Sequence, residues 1–450
     1  MKRRIAEETV LFISIIKWIV LATVIGIIVG LSTTLFLRAL TFSMAFTARY
    51  PHYFLLLPFA LFLSIVVVKY LAPEAEGHGT EKVIEAVHKR SGKINAMVVP
   101  VKLIATIVTL AFGGSVGKEG PCAQIGGGLS SIFADLFRFD DHDRRKLVIC
   151  GISAGFAAVF GTPIAGAVFG VEVLFVGSIL YDVLLPSFIS GIISYHVSSS
   201  LGITYFYHPL NFTPVFSDIF FVKVVIAGIF FGLCSGFLIE MLKLGHHFST
   251  KLKIWKPWKG IIGGLAIVGL TLLFSKRYLG LGLDAIQSVL TGAKVIWYDF
   301  ILKTIFTSIT LGFGGSGGII TPIFFIGSTA GALFATLGGL DVATFSAIGL
   351  VSLLAGAANT PIAASIMAVE LFGPKVAPYA TIACVISYLM TGHRSVYPSQ
   401  VLTTKKSSSI RIETGKEIEG VEASVQPRDK SVIGLFLRIE KIIHKEKEKQ

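Results

Sequence analysis

The chemistry of this sequence centres on residues 113–121, Gly-Gly-Ser-Val-Gly-Lys-Glu-Gly-Pro. A glycine-rich string with a lysine suggests a phosphate loop, but that reading fails at two positions. The first required glycine is Phe112, and Glu119 stands where Ser or Thr must follow the lysine. What remains is a segment of exposed backbone ending in Gly120-Pro121. Pro121 suits the first turn of a new helix, so amides near 119–121 are free to point at an anion. Glu119 has two readings. An acidic residue at a helix start is favoured by the helix dipole and needs no further role. An ionisable group within a membrane is instead a functional candidate by default.

Composition decides which setting applies. The chain has 450 residues, 53% of them hydrophobic and only 15% charged, where soluble proteins carry about 25%. Mean hydropathy is +0.76, and 11 Lys/Arg and 8 Asp/Glu of the charged residues fall in the last 46 positions. Too few charges remain to coat a water-facing surface, so soluble, disordered and disulfide-stapled classes are excluded and a polytopic membrane protein is expected. The net charge of +13 comes from basic clusters at Lys2-Arg3-Arg4, Lys89-Arg90, 251–259 and the tail. These are the clusters of cytoplasmic loops and ends, and nucleic acid is not an expected partner. Cys122, Cys150, Cys234 and Cys384 are scattered through apolar stretches without ligand spacing, so neither disulfide nor metal is implied. The apolar run from Thr9 to Leu40 is too long for a secretory signal and reads as a first transmembrane helix.

Later apolar stretches are short or broken by Gly and Pro, which membranes tolerate only where backbone is buried in protein or lines a cavity. An all-α polytopic architecture of tilted and broken helices follows. The breaks recur. Phe112-Gly113-Gly114-Ser115 returns as Phe313-Gly314-Gly315-Ser316, and Thr162-Pro163-Ile164-Ala165 with Glu172 returns as Thr360-Pro361-Ile362-Ala363 with Glu370. The chain thus divides into two repeat halves, 1–205 and 206–404, with a tail at 405–450. Paired Gly/Pro-broken segments point to a transporter's midplane site. The repeat mate of Glu119 is Ile320, so one half brings backbone and a charge, the other backbone alone, and that asymmetry favours a gate. In the tail, 405–430 is expected to be polar and flexible. Residues 431–444 carry an apolar stripe suited to a helix on the membrane surface or against a partner.

Three strings in this order, Gly117-Lys118-Glu119-Gly120-Pro121, Gly317-Gly318-Ile319-Ile320-Thr321-Pro322 and Ser395-Val396-Tyr397-Pro398, with the duplication around them, resemble the CLC family of chloride channels and chloride/proton antiporters. The resemblance covers about residues 10–404. It implies a homodimer of inverted-repeat subunits in the cell membrane, each with its own anion pathway and with both termini cytoplasmic. Glu119 then matches the gating glutamate. Lys118, Glu119, Gly120, Ile319, Ile320 and Thr321 match the amides around the anion, and Tyr397 the tyrosine whose hydroxyl faces it. Two positions depart from the family pattern. Its Gly-Ser-Gly-Ile-Pro is here Gly77-His78-Gly79-Thr80-Glu81, so that a histidine replaces the serine hydroxyl and Glu81 the helix-opening proline. Either His78 donates an N–H to the anion, or only the loop backbone through Gly79 matters. In addition, Val173 stands at the internal proton-relay position of the antiporters and cannot carry a proton. Glu172 and Glu370 then read as structural hydrogen-bonding groups.

The first expectation from these residues is passive chloride conduction gated by Glu119. The alternative is chloride/proton antiport by a proton route other than the usual internal glutamate. A membrane enzyme lacks a second catalytic group at helical spacing, and a sensor working through the tail is the remaining option. The tail is too short for the paired regulatory nucleotide-binding (CBS) modules of some relatives, so no nucleotide or other cofactor is expected. The Asn211-Phe212-Thr213 sequon is read as accidental.

Overall fold

The computed structural model describes residues 2–205, 207–208 and 218–426; the sequon and the 431–444 stripe lie outside them. Sixteen α-helices occupy these residues. Eight precede residue 205: α1 Lys2–Thr47, α2 Leu57–Leu71, α3 Thr80–Lys89, α4 Val98–Ala111, α5 Glu119–Leu136, α6 Asp141–Phe160, α7 Pro163–Glu172 and α8 Tyr181–Ser200. Eight follow: α9 Asp218–Lys251, α10 Lys256–Leu273, α11 Leu283–Leu290, α12 Asp299–Gly312, α13 Ile320–Gly338, α14 Val342–Ala358, α15 Pro361–Phe372 and α16 Ala377–Met390.

Among the described residues, five helices are long and apolar enough to cross a bilayer alone; shorter apolar helices include α4, α7, α14, α15 and α16. Sequence chemistry sets these short lengths. Thr162-Pro163 and Thr360-Pro361 open α7 and α15 with proline in the first turn, where its missing N–H costs nothing. Gly113 and Gly314, both at φ +94°, let the chain reverse after α4 and α12. Large exposed apolar side chains such as Phe12, Leu35, Phe59 and Leu272 cover the outer helices, as a lipid-facing surface requires. By contrast, α13 is mostly buried inside the protein.

The two halves meet through reciprocal contacts. Gly117 and Gly318 exchange N–H···O bonds of 2.6 Å in an antiparallel bridge. The Ser115 amide donates to Thr310 Oγ1 at 3.1 Å, and the Ser316 amide to Thr109 Oγ1 at 3.2 Å. Glu172 accepts from the amides of Ile362 and Ala363 (3.0 and 2.8 Å), while Glu370 accepts from Ile164 and Ala165 (2.9 and 2.8 Å). Each carboxylate thus caps the partner half's broken helix, supplying acceptors that the orphan amides need. Equivalent segments running antiparallel with swapped partners define a two-fold relation between the halves, an inverted repeat.

The segment after α16 differs from the expected flexible tail. Strand β1 (Phe175–Val176) pairs in parallel with β2 (Val401–Leu402), and β3 (Ile410–Arg411) pairs antiparallel with β4 (Ser424–Val425). Ile412 and Ile418 are buried with Val176 and Leu402 in a small separate core. These isolated isoleucines among charges leave no periodic signal, yet they suffice to fold residues 405–426 onto one face of the helical body.

Candidate functional site

Three helix N-termini converge on one buried region. α5 opens at Glu119, α13 at Ile320, and α3 at Thr80, one residue after Gly79 (φ +79°). The first helical bonds run from Cys122 to Lys118 in α5 and from Ile323 to Ile319 in α13. Amides ahead of these lie outside the helix ladders. The approach of the three ends is close enough to demand glycine. A Cβ on Gly120 would sit 1.9 Å from the His78 carbonyl oxygen, and one on Gly117 would sit 2.2 Å from Glu119 Oε2.

Glu119 is fully buried. Its Oε2 accepts from the Thr321 amide at 3.1 Å, and its Oε1 accepts from the Thr321 hydroxyl. The carboxylate of one half therefore occupies the N-terminus of the other half's broken helix, where the helix presents about +0.5 charge. A halide would use the same donors. Ile319 and Ile320, also buried, contribute backbone and an apolar wall. Lys118, partly exposed, is the residue preceding α5.

On the opposite side lie His78 and Tyr397, with ring centroids 5.8 Å apart. Tyr397 is fully buried, its hydroxyl beside that of Thr80. Among the described residues, His78 Nδ1 is buried without a hydrogen-bond partner, and the buried hydroxyls of Thr80 and Tyr397 have no partner beyond their approach to one another. Buried polar atoms are normally paired, so these under-satisfied groups indicate a site built for a polar guest. A network holds Tyr397 in place. Its amide donates to Ser395 Oγ at 2.9 Å, and Ser395 donates to Gln400 Oε1 at 2.6 Å. Gln400 Nε2 donates to the carbonyls of Val173 (2.7 Å) and Ala358 (2.9 Å). Val173 itself is fully buried and aliphatic.

The structure thus brings Glu119, Gly120, Ile319, Ile320 and Thr321 together, and sets the His78-Gly79 loop and Tyr397 beside them. Sequence reasoning missed three groups. It took Thr321 only as an amide, although its hydroxyl also binds Glu119. It took Glu81 only as a lost proline, although Glu81 Oε1 accepts from the Ser399 amide (3.0 Å) and hydroxyl (2.5 Å). The third is a repeat pair of buried lysines. Lys102 Nζ donates to the carbonyls of Ala75 (3.0 Å) and Gly77 (2.5 Å), and Lys303 Nζ to those of Tyr278 (3.0 Å) and Gly280 (2.7 Å). Each pins the glycine loop that opens α3 or α11. Their matched placement in two apolar stretches was the signal available. No group of three His, Cys, Asp or Glu among the described residues has metal-binding geometry.

An inverted repeat whose half-helices aim their N-termini at a shared buried point defines a membrane protein for anion passage. Residues 59–392 match the family described as voltage gated chloride channel, and the chain belongs to that CLC family of anion transporters and channels, which are not enzymes. The chain is 36% identical to the chloride/fluoride channel protein of Pseudomonas syringae pv. tomato, over 96% of this chain and 98% of that protein. The crystal structure of a CLC-type fluoride/proton antiporter superposes with a TM-score of 0.82 at 30% identity, covering 86% of this chain and 98% of the other. A slow cyanobacterial Cl−/H+ antiporter shares the fold at 22% identity, with a TM-score of 0.73, over 83% and 94% of the two chains.

Proposed function

We propose that this protein exchanges a small halide, fluoride foremost, for protons, with Glu119 as the group that both gates the anion and carries the proton. The observation carrying the reading is the Glu119 carboxylate seated on the Thr321 donors of α13. Ionised, it competes with a halide for those donors; protonated, it is neutral, holds the helix end less strongly and can leave. One side chain thereby links the two fluxes. His78, Gly79, Lys118, Gly120, Ile319, Ile320, Thr321 and Tyr397 line the anion's route in this reading. Weak, multiple contacts of this kind let an ion enter and also leave.

The order of the two sequence-based alternatives reverses here. Val173 favoured passive conduction. Similarity at 30% identity to a fluoride/proton antiporter favours coupled exchange. Fluoride is preferred because a strongly hydrated ion needs strong donors in return for its water, and the under-satisfied Tyr397 and Thr80 hydroxyls with His78 Nδ1 are available. We further take 1–205 and 206–404 as the two halves of one transport unit, acting in a homodimer in the cell membrane with both basic termini in the cytoplasm.

Purified protein in vesicles loaded with fluoride tests this. Outward fluoride movement should drive protons inward against their gradient, and chloride should do so more weakly. Fluoride efflux without uphill proton movement restores the conduction reading.

A further inference from the structure

An exchanger with a buried Glu119 needs a proton path to each face, and Val173 supplies none. α3 offers one. It runs from the converged helix ends at Thr80 to the face carrying the 401–426 segment, where Lys89 Nζ lies 3.0 Å from Glu417. Glu81 stands at its inner end. Ser399, which donates twice to Glu81 Oε1, is two residues beyond Tyr397. Thr80, the chain neighbour of Glu81, places its hydroxyl beside that of Tyr397. One turn outward, Glu85 pairs with Lys82 at 2.8 Å and is partly open to solvent.

We propose that Glu81 is the proton-carrying group between the Glu119–Tyr397 region and the face bearing the 401–426 segment. This rests on the antiport reading above. An anchor for the Ser399 turn needs only Oε1. Glu81 Oε2 is buried with no hydrogen-bond partner, an arrangement costly for an ionised oxygen and relieved when that oxygen carries a proton. In the cycle, ionised Glu81 takes a proton delivered from water past Glu85 and Lys82. The carboxylic acid then gives it up toward Glu119, directly or along the Tyr397 hydroxyl. Glu119 becomes neutral and Glu81 is ionised again, so one proton moves and no bond other than O–H changes.

Vesicle assays that record fluoride efflux and proton uptake together test the assignment. Glu81→Gln keeps an acceptor for Ser399 but cannot shuttle a proton in this way; its proton-to-fluoride ratio should fall about a hundredfold while fluoride efflux continues. Ser399→Ala removes the hydroxyl anchor and should keep the wild-type ratio, as should Glu81→Asp. Should Glu81→Gln fail to assemble, Glu81→His decides, since it titrates but cannot accept both Ser399 donors, and it must retain coupling. A wild-type ratio in Glu81→Gln, equal uncoupling in Ser399→Ala, or an uncoupled Glu81→His overturns the assignment. A wild type with no uphill proton movement overturns the antiport reading instead, which separates the two failures.

Discussion

Glu119 is held by one residue through two donors, the amide and the hydroxyl of Thr321, and this arrangement sets the sign of its pH dependence. In the proposed gating role the ionised carboxylate competes with the anion for these donors, so acid should release it and anion flux should rise as pH falls. Glu119→Ala should leave flux insensitive to pH in a vesicle assay, because no removable group remains. Thr321→Val keeps the amide and deletes the hydroxyl, a loss of about 1 kcal/mol in the hold on the carboxylate. Flux at neutral pH should then rise roughly fivefold. Tyr397→Phe removes one under-satisfied donor at constant shape, and equilibrium fluoride titration should show binding weakened by about tenfold. At this scale the sequence was informative where backbone carried the message: Gly-Lys-Glu-Gly-Pro marks a helix opening unaided, and Gly-Gly-Ile-Ile-Thr-Pro was placed through the family resemblance. It was silent on Glu81, because a carboxylate's partner 318 positions away leaves no local trace.

Among the elements, the short helices depend on caps supplied from elsewhere in the chain. Glu370 covers the start of α7 and Glu172 the start of α15. Replacing either by alanine should cost about 1 kcal/mol, with similar falls in the melting temperature of the detergent-solubilised protein because the two sites are structural equivalents. α6 is capped locally, by the Asp140 side chain accepting from the Asp143 amide at 2.8 Å. That bond holds the exposed Asp140 carboxyl below its ordinary range. A depressed value in the fold stabilises above the unfolded pKa of about 3.9 and is lost as pH falls. Asp140→Ala should therefore lower the melting temperature at pH 7 and leave it unchanged near pH 2. Broken apolar stretches and Thr-Pro openings made the helix breaks readable in advance. The lysine anchors were legible only in their matched placement, since a single lysine in an apolar run has the same sequence appearance whether it snorkels outward or, like Lys303, is fully buried.

At the scale of the molecule, the helical body and the folded 401–426 segment form one surface around the outer end of α3. Ile418→Asp, which puts a charge beside Val176, Leu402 and Ile412, should destabilise this segment by a few kcal/mol. Limited proteolysis should then cut within 403–426 while the helical body stays intact. The duplication was legible from matched strings, but its inverted sense came only through the family resemblance, because parallel and inverted repeats read alike along a chain.

The Gly117–Gly318 bridge has a historical consequence. Swapped, self-complementary contacts are what two copies of one polypeptide make when they dimerise about a rotation axis. Here that axis would relate copies inserted opposite ways up in the bilayer, so a half-length ancestor needed no fixed orientation. In a single fused chain the two copies need not be identical, and here acid stands at position 119 while isoleucine stands at its counterpart 320, so the two opposed helix ends differ in chemistry.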